Sequence, residues 1–272
     1  VIHVFIERHH NPQSGGKERI MHVSIGLAPG AAALLACAGA VQSTLAQTVT
    51  ESFESGFRAW SPHGIVYCAP DCTLDYAIEL SQEQAHEGDW SVEMMGVGYL
   101  DSGVIFVQRP IVLQPGTWTP TVEFQIYSIA GGEVGSWDAA AYIGLEPPDE
   151  EFEFTMIGPI SLQGWNTFSL EQTIEVDEPT TVYVAVGYRI NFEVENTHWV
   201  DSVVISGIPG QVAADLNFDG EVGAADLAEL LAQWGACPPP QKGSCLADLE
   251  PADGDGEVGA ADLGELLANW SR

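Results

Sequence analysis

The feature that most constrains this chain is a duplication near its C-terminus. Asp215, Asn217 and Asp219 alternate before Gly220 and Glu221, and the segment Val222-Gly-Ala-Ala-Asp226-Leu-Ala-Glu-Leu-Leu-Ala-Gln-Trp234 follows. Asp253, Asp255, Gly256 and Glu257 precede a second copy, Val258-Gly-Ala-Ala-Asp262-Leu-Gly-Glu-Leu-Leu-Ala-Asn-Trp270. Side-chain oxygens at odd positions before a turn glycine bring several ligands to one point, as a hard cation with six to eight oxygen ligands requires. In the first copy Asp215, Asn217 and Asp219 take positions 1, 3 and 5 of a twelve-residue loop. Gly220 makes the turn at 6, Glu221 offers its carbonyl at 7, and Asp226 closes the loop at 12, where a helix N-terminus favours a carboxylate.

The second copy is less regular. Counting back from Asp262 places Pro251 at position 1, and proline has no side-chain oxygen. The Ala-Asp-Leu before the first loop reappears as Ala247-Asp248-Leu249, so Asp248 is read as the position-1 ligand of a loop widened by three residues, with Glu250 as a substitute. Asp253, Asp255 and Glu257 then follow. Beyond each loop the period changes: Leu227, Leu230, Leu231 and Trp234, and again Leu263, Leu266, Leu267 and Trp270, repeat at helical spacing. Each copy is thus a loop feeding one amphipathic helix, and the two helices are expected to bury their stripes against each other, with Val222 paired to Val258.

These residues, from Ala213 to Trp270, resemble a dockerin type I module, in a variant with Gly-Ala-Ala-Asp-Leu before the helix that recurs in secreted proteins of planctomycete-like bacteria. The resemblance implies two calcium ions and docking to a cohesin-like or cell-surface protein. The partner-reading loop positions 10 and 11, often Ser-Thr in that family, are Ala224-Ala225 and Ala260-Ala261 here. A methyl group cannot make those hydroxyl hydrogen bonds, so this chain departs from the family at its docking residues.

Cysteine placement points outside the cell. Cys237 and Cys245 frame a Pro-rich connector, and Cys68 and Cys72 close a short turn, so two local disulfides are expected. Residues 1–46 read as a leader. An apolar, alanine-rich run after Met21 ends at the small-residue site Ser43-Thr-Leu-Ala46, which marks a signal peptide starting at Met21. No other stretch approaches the length of a membrane span. The chain carries 39 acids against eight Lys plus Arg, a formal charge of −31. Such a surface repels nucleic acid and anionic lipid.

Residues 48–210 contain many short β-rich runs, among them 103–108, 121–127, 139–144, 152–156, 165–170, 181–187 and 199–205, and no long helical period. The expected fold is an all-β, jelly-roll-like sandwich at 48–210, followed by a small all-α, EF-hand-like module at 211–272. Glu51-Ser-Phe-Glu-Ser-Gly with Trp60, Gly88-Asp-Trp, and Trp199-Val-Asp201 resemble the edges of galactose-binding-like and carbohydrate-binding jelly rolls. That resemblance implies polysaccharide binding and nominates Glu51 and Asp201 as ligands of one further calcium. Among the tryptophans, Trp165 and Trp199 read as core, while Trp137, beside Asp138 in a turn-like setting, reads as an exposed sugar platform.

Three functions stay open: an exported calcium-binding protein whose sandwich binds glycan or another surface ligand, a structural matrix protein, and a small polysaccharide-active enzyme. The enzyme reading would draw its acid and base from Glu151 and Glu153 on one face of a strand. No histidine carries metal spacing, and no nucleophile motif is present.

Overall fold

The computed structural model describes residues 47–67, 73–99, 103–129, 137–160, 163–190, 196–237, 245–250 and 254–270. The leader, the Cys68/Cys72 pair and Asp253 lie outside the described residues.

Alternation of apolar and polar side chains builds two antiparallel sheets, as expected. In order, the strands are β1 (Gln47–Glu51), β2 (Ser61–Val66), β3 (Thr73–Ser81), β4 (Ser91–Tyr99), β5 (Gly103–Leu113), β6 (Gly116–Trp118), β7 (Thr121–Ser128), β8 (Trp137–Gly144), β9 (Thr155–Pro159), β10 (Gly164–Glu171), β11 (Ile174–Val176), β12 (Thr180–Ile190) and β13 (Asn196–Ile208). One sheet runs β10-β7-β13-β4-β3, with β1 also paired to β13, and the other runs β2-β5-β12-β8-β9. β6 and β11 form a separate ladder.

The core lies between the sheets. β7 shows why: Val122, Phe124, Ile126 and Ser128 are buried, while Glu123 is exposed, the period-2 signature of a strand with one face inward. From the first sheet come Val92, Met94, Phe124, Ile126 and Val200, and from the second Ile105, Val107, Ile111, Val184 and Val186. The middle of the second sheet is apolar on both faces. Val104, Phe106, Ala140 and Ala185 form a smaller cluster on its outer side, closed by Phe154.

The strand expected at 152–156 starts later, at Thr155. Residues 151–153 form a short 3-10 turn before β9. The Glu153 carboxylate accepts the Asp149 and Glu150 N–H groups at 2.8 and 3.0 Å and so caps the turn that contains it. Phe154 drops inward while Phe152 stays exposed, which is why the alternation looked like a strand.

The C-terminal module has α1 (Ala224–Ala232), the short β14 (Gly235–Ala236) and β15 (Glu257–Val258), and α2 (Ala260–Ala268). Cys237 and Cys245 are joined by a disulfide, as their spacing suggested. Leu216, Val222, Leu230, Leu249, Val258 and Leu266 form one core, in which Val258 pairs with Gly235 across β14 and β15. The helical stripes are only partly internal. Leu230 and Leu266 are fully buried, but Leu231 and Leu267 are each 53% exposed and Trp234 and Trp270 are 49% and 36% exposed, contrary to the expectation that the whole stripe is core. Helices of nine residues make about two and a half turns, so a two-helix contact covers little more than one side chain of each stripe. The sandwich and this module belong to one compact unit, Ser43–Arg272.

A histidine is sealed between the sheets. His198 on β13 packs edge-on to Trp137 and Tyr188, with ring centroids 5.4 and 4.5 Å away, and neither ring nitrogen has a hydrogen-bond partner among the described residues. Burial lowers its pKa to about 4, against a small opposing effect of the Tyr127 backbone. The folded state therefore stays neutral down to that pH, while the unfolded chain takes up a proton near pH 6.5. This contribution is fully present above about pH 6.5 and is lost as pH falls toward 4, by about 3 kcal/mol in all. Urea titrations of wild type and His198→Met across pH 7 to 4.5 should show the smaller acid loss in the variant; parallel curves would contradict this.

Candidate functional site

Strand register, rather than any contiguous motif, assembles an aromatic row on the outer face of the six-stranded sheet. Trp165 on β10 lies opposite Tyr127 on β7, and Tyr127 lies opposite Trp199 on β13. Their neighbours Phe124, Ile126 and Val200 face the core, so alternation turns these three rings the other way. The ring centroids are 5.3 Å apart for Trp165 and Tyr127 and 5.8 Å for Tyr127 and Trp199, both edge-on. His86 adds a fourth ring, 5.3 Å from Trp165. The same rung continues through Glu93 on β4 to Glu79 on β3, and Thr167 and Gln125, hydrogen-bonded at 3.0 Å, occupy the adjacent rung.

The row is graded in depth. Trp199 is 4% exposed and donates its indole N–H to Ser81 at 3.4 Å, whereas Tyr127 and Trp165 are half-buried. The connection between β3 and β4 reaches the row through His86, which packs against Trp165. Asp201, which is fully buried, pins that connection by accepting the His86 and Glu87 N–H groups at 2.7 and 3.0 Å, and it also accepts the Ser202 N–H at 2.6 Å. Burial raises the Asp201 pKa in spite of these donors. Both of its oxygens are committed to backbone, and Glu51 accepts the Phe53 N–H at 2.9 Å, so each of these carboxylates holds a turn of its own chain.

Trp137 is placed differently from the exposed platform expected of it. It shares the inward face of β8 with Ala139, Ala141 and Ile143 and packs, half-buried, against the main core. Asp138, on the opposite face, is buried in an ion pair with Arg189, and the same guanidinium lies 3.8 Å from Glu151. Glu151 and Glu153 are therefore not a matched pair on a strand: one sits beside Arg189 and the other caps its own turn. The residues that sequence reasoning missed are Trp165, Tyr127 and Trp199. The available signal was the placement of all three at strand positions alternating with apolar ones, but their alignment across three strands is a property of register.

Among the described residues, the two acidic loops of the C-terminal module share most of their carboxylate-to-backbone hydrogen bonds. Asp215 accepts the Asp219 and Gly220 N–H groups at 3.1 and 2.9 Å, and Asp248 accepts those of Asp255 and Gly256 at the same distances. The structure thus puts Asp248 in the place that Asp215 holds. Asp226 accepts N–H groups from Leu216, Asn217 and Gly223, and Asp262 accepts those of Leu249, Glu250 and Gly259. Asn217 donates its amide to Asp219, while Asp219 and Asp255 accept the N–H groups of Glu221 and Glu257.

The donor set is all oxygen, which suits a hard cation such as calcium. Burial pushes the Asp215 pKa up against its N–H donors, and Asp226 and Asp219 add to the rise, so negative charge is concentrated in the loop. Among the described residues no three acidic, histidine or cysteine side chains already converge as a metal-holding group.

No protein-family profile matches this sequence, and no curated protein sequence does. The sandwich resembles carbohydrate-binding modules among solved structures. One is a module of the β-sandwich superfamily studied for promiscuous specificity, with 19% identity and a TM-score of 0.41 over 56% of this chain and 59% of that one. A second is a family 61 module in complex with β-1,4-galactotriose, with 17% identity and a TM-score of 0.38 over 57% and 93%. A third is the family 22 xylan-binding domain of a Paenibacillus barcinonensis protein, with 11% identity and a TM-score of 0.39 over 62% and 99%. The chain spans less than two thirds of the first of these, and at such identities the likeness is one of fold alone.

The carboxylates that close the loops generate a test. Asp226→Ala leaves the Leu216, Asn217 and Gly223 N–H groups without their acceptor, which should cost more than about 3 kcal/mol. In chelator, amide hydrogen exchange at residues 216, 217 and 223 should then rise to the rate of the unfolded chain, whereas retained protection would show that Asp226 is dispensable for the fold.

Proposed function

We propose that this is an exported, non-catalytic polysaccharide-binding protein, with a glycan site on its sandwich and two calcium ions in its C-terminal module. The observation that carries the reading is the ladder of Trp165, Tyr127 and Trp199 across three strands of one sheet. Sugar rings present flat apolar C–H faces that stack on aromatic side chains, and a row running across strands suits a chain of sugars. The outer end of the row, at Trp165 and Tyr127, is the accessible part. Thr167 and Gln125 beside it supply short polar contacts for hydroxyl groups. The surrounding charge favours neutral or cationic polymers over polyanions. The engagement of Glu153 in its own turn, and of Glu151 beside Arg189, supports binding without hydrolysis.

Depletion assays on insoluble neutral polysaccharides with the full chain would test the row. Trp165→Ala and Tyr127→Ala should each weaken binding by about tenfold or more, equivalent to about 1.4 kcal/mol, with the circular dichroism spectrum unchanged. Unaltered binding in both variants would remove the row from the site. Release of reducing sugar that is lost in Glu151→Gln or Glu153→Gln would replace the binding reading with an enzymatic one.

For the metal, Asp215, Asn217, Asp219, the Glu221 carbonyl and Asp226 would hold the first ion. Asp248, Asp253, Asp255, the Glu257 carbonyl and Asp262 would hold the second. Ordering the three extra residues of the second loop opposes binding there. Calorimetric titration should resolve two unequal classes, with Asp215→Ala abolishing the tighter one; a titration without calcium uptake would end this part of the proposal. The exposed Leu231, Trp234, Leu267 and Trp270 support a protein-docking role for the module.

A further inference from the structure

Two of the three arginines of the sandwich, Arg58 and Arg109, line one cleft of about 380 Å³ between β1 and the C-terminal module. Arg109 extends from β5, opposite Val184 of β12, and is half-buried. Among the described residues it makes no hydrogen bond and no ion pair, and its Nε is sealed from solvent without an acceptor. Burial works against its charge and Arg58 adds repulsion, with Glu51 supplying the opposing attraction. Removing even part of a guanidinium from water without a directly bonded counter-charge is costly, which favours an anionic partner for its open Nη side. Arg189, the third arginine, is paired, with Asp138.

The rest of the cleft describes the missing partner. Arg58 is anchored from the side, donating Nη2 to the Asp248 carbonyl at 3.0 Å, so its guanidinium is held near Arg109 by the module itself. Gln47 and Thr50 add hydrogen-bonding groups to the same wall, and Val212 and Phe218 face them with apolar surface. The space exceeds that of a simple inorganic anion and suits a molecule of one or two sugar rings. Glu51 lies on the wall with the two arginines and Asp215, Glu250 and Glu265 line the module side, so the charge of the cleft disfavours a ligand with more than one negative group.

We infer that this cleft is a second binding site, separate from the aromatic row, for a small monocarboxylate of sugar-acid size whose carboxylate pairs with Arg109 and Arg58. A planar guanidinium meets a carboxylate with two parallel hydrogen bonds, which fixes the orientation of the ligand as well as its charge. None of Trp165, Tyr127 and Trp199 lines the cleft, so loss of one site leaves the other intact.

The test uses the full chain at low ionic strength, with thermal shift and calorimetry against D-glucuronate and D-galacturonate. Glucose and acetate serve as controls for the ring and the charge alone, and a glucuronate-terminated disaccharide is the third arm. A uronate should raise the melting temperature and bind at least tenfold more tightly than glucose or acetate. Arg109→Met should abolish this response while leaving the melting temperature of the free protein unchanged or higher, because it removes a partly desolvated charge without a hydrogen-bonded partner among the described residues; a purely structural Arg109 would give a lower one. Arg58→Gln should weaken uronate binding at least tenfold and serves as the second variant. Binding of the disaccharide as well as the monosaccharide identifies the end of a polysaccharide as the source, and binding of the monosaccharide alone identifies a free sugar acid. The inference is overturned if neither uronate binds at millimolar concentration, if glucose or acetate binds equally well, or if Arg109→Met binds uronate like the wild type.

Discussion

Strand β13 is the element on which the sandwich depends. It pairs with β7, β4 and β1, and it changes register by one residue between Asp201 and Val204. Before that bulge His198 and Val200 face the core; after it Val203 and Ile205 do. The extra residue reverses the alternation, so that one strand buries even-numbered side chains in its first half and odd-numbered ones in its second. Ser202 takes the positive φ of 49° that the bulge requires, and Asp201 stabilises it by accepting the Ser202 N–H. Without the bulge Val203 and Ile205 would face outward. The same carboxylate fixes the β3–β4 connection, whose His86 packs against Trp165, so the geometry that closes the core also shapes that end of the aromatic row.

The C-terminal module follows a different logic. Its core is small, and buried carboxylates organise it: Asp226 and Asp262 each gather three backbone N–H groups from the start of a loop and the start of a helix. Those groups would otherwise be unsatisfied, so each carboxylate serves as helix cap and loop closure together. Calcium, where bound, would add to this framework by offsetting repulsion among acids that the backbone donors do not neutralise. The module also touches the sandwich. Thr181 donates to the Phe218 carbonyl of the first loop at 3.1 Å, and Arg58 to the Asp248 carbonyl of the second at 3.0 Å. The conformations of both loops are thereby linked to the wall that holds Arg58 and Arg109.

Much of this architecture was legible in the residues themselves because it depends on local spacing. The alternating carboxylates, the turn glycines and the repeated Asp-Leu-x-Glu-Leu-Leu define two loop-helix units, and the equivalence of Asp248 to Asp215 was readable from the repeated Ala-Asp-Leu despite the three-residue insertion. The Cys237–Cys245 bridge follows from proximity along the chain. Period-2 alternation with frequent turns specifies a sandwich, since such strands have one face to bury and must find a second sheet to cover it. The 151–153 turn was misread as a strand because Phe152 and Phe154 alternate with glutamates, and the deciding contact, Glu153 to the Asp149 and Glu150 N–H groups, competes locally with strand formation.

Tertiary structure alone decided which aromatics form a surface. Trp137 and Trp165 both lie at the start of a strand, first in β8 and second in β10, yet one faces the core and the other faces out, because inward and outward are defined by the partner sheet and not by the strand itself. The row of Trp165, Tyr127 and Trp199 draws on segments tens of residues apart, brought into line by register. Arg109 and Arg58 meet only because β5, the turn after β1 and the second loop of the module converge on one cleft. The sequence by itself determined the periodicities, the duplicated loops and the overall charge, all of which are set by neighbours a few residues away. The sites required long-range pairing, in which a shift of one residue exchanges the buried and exposed faces of a strand.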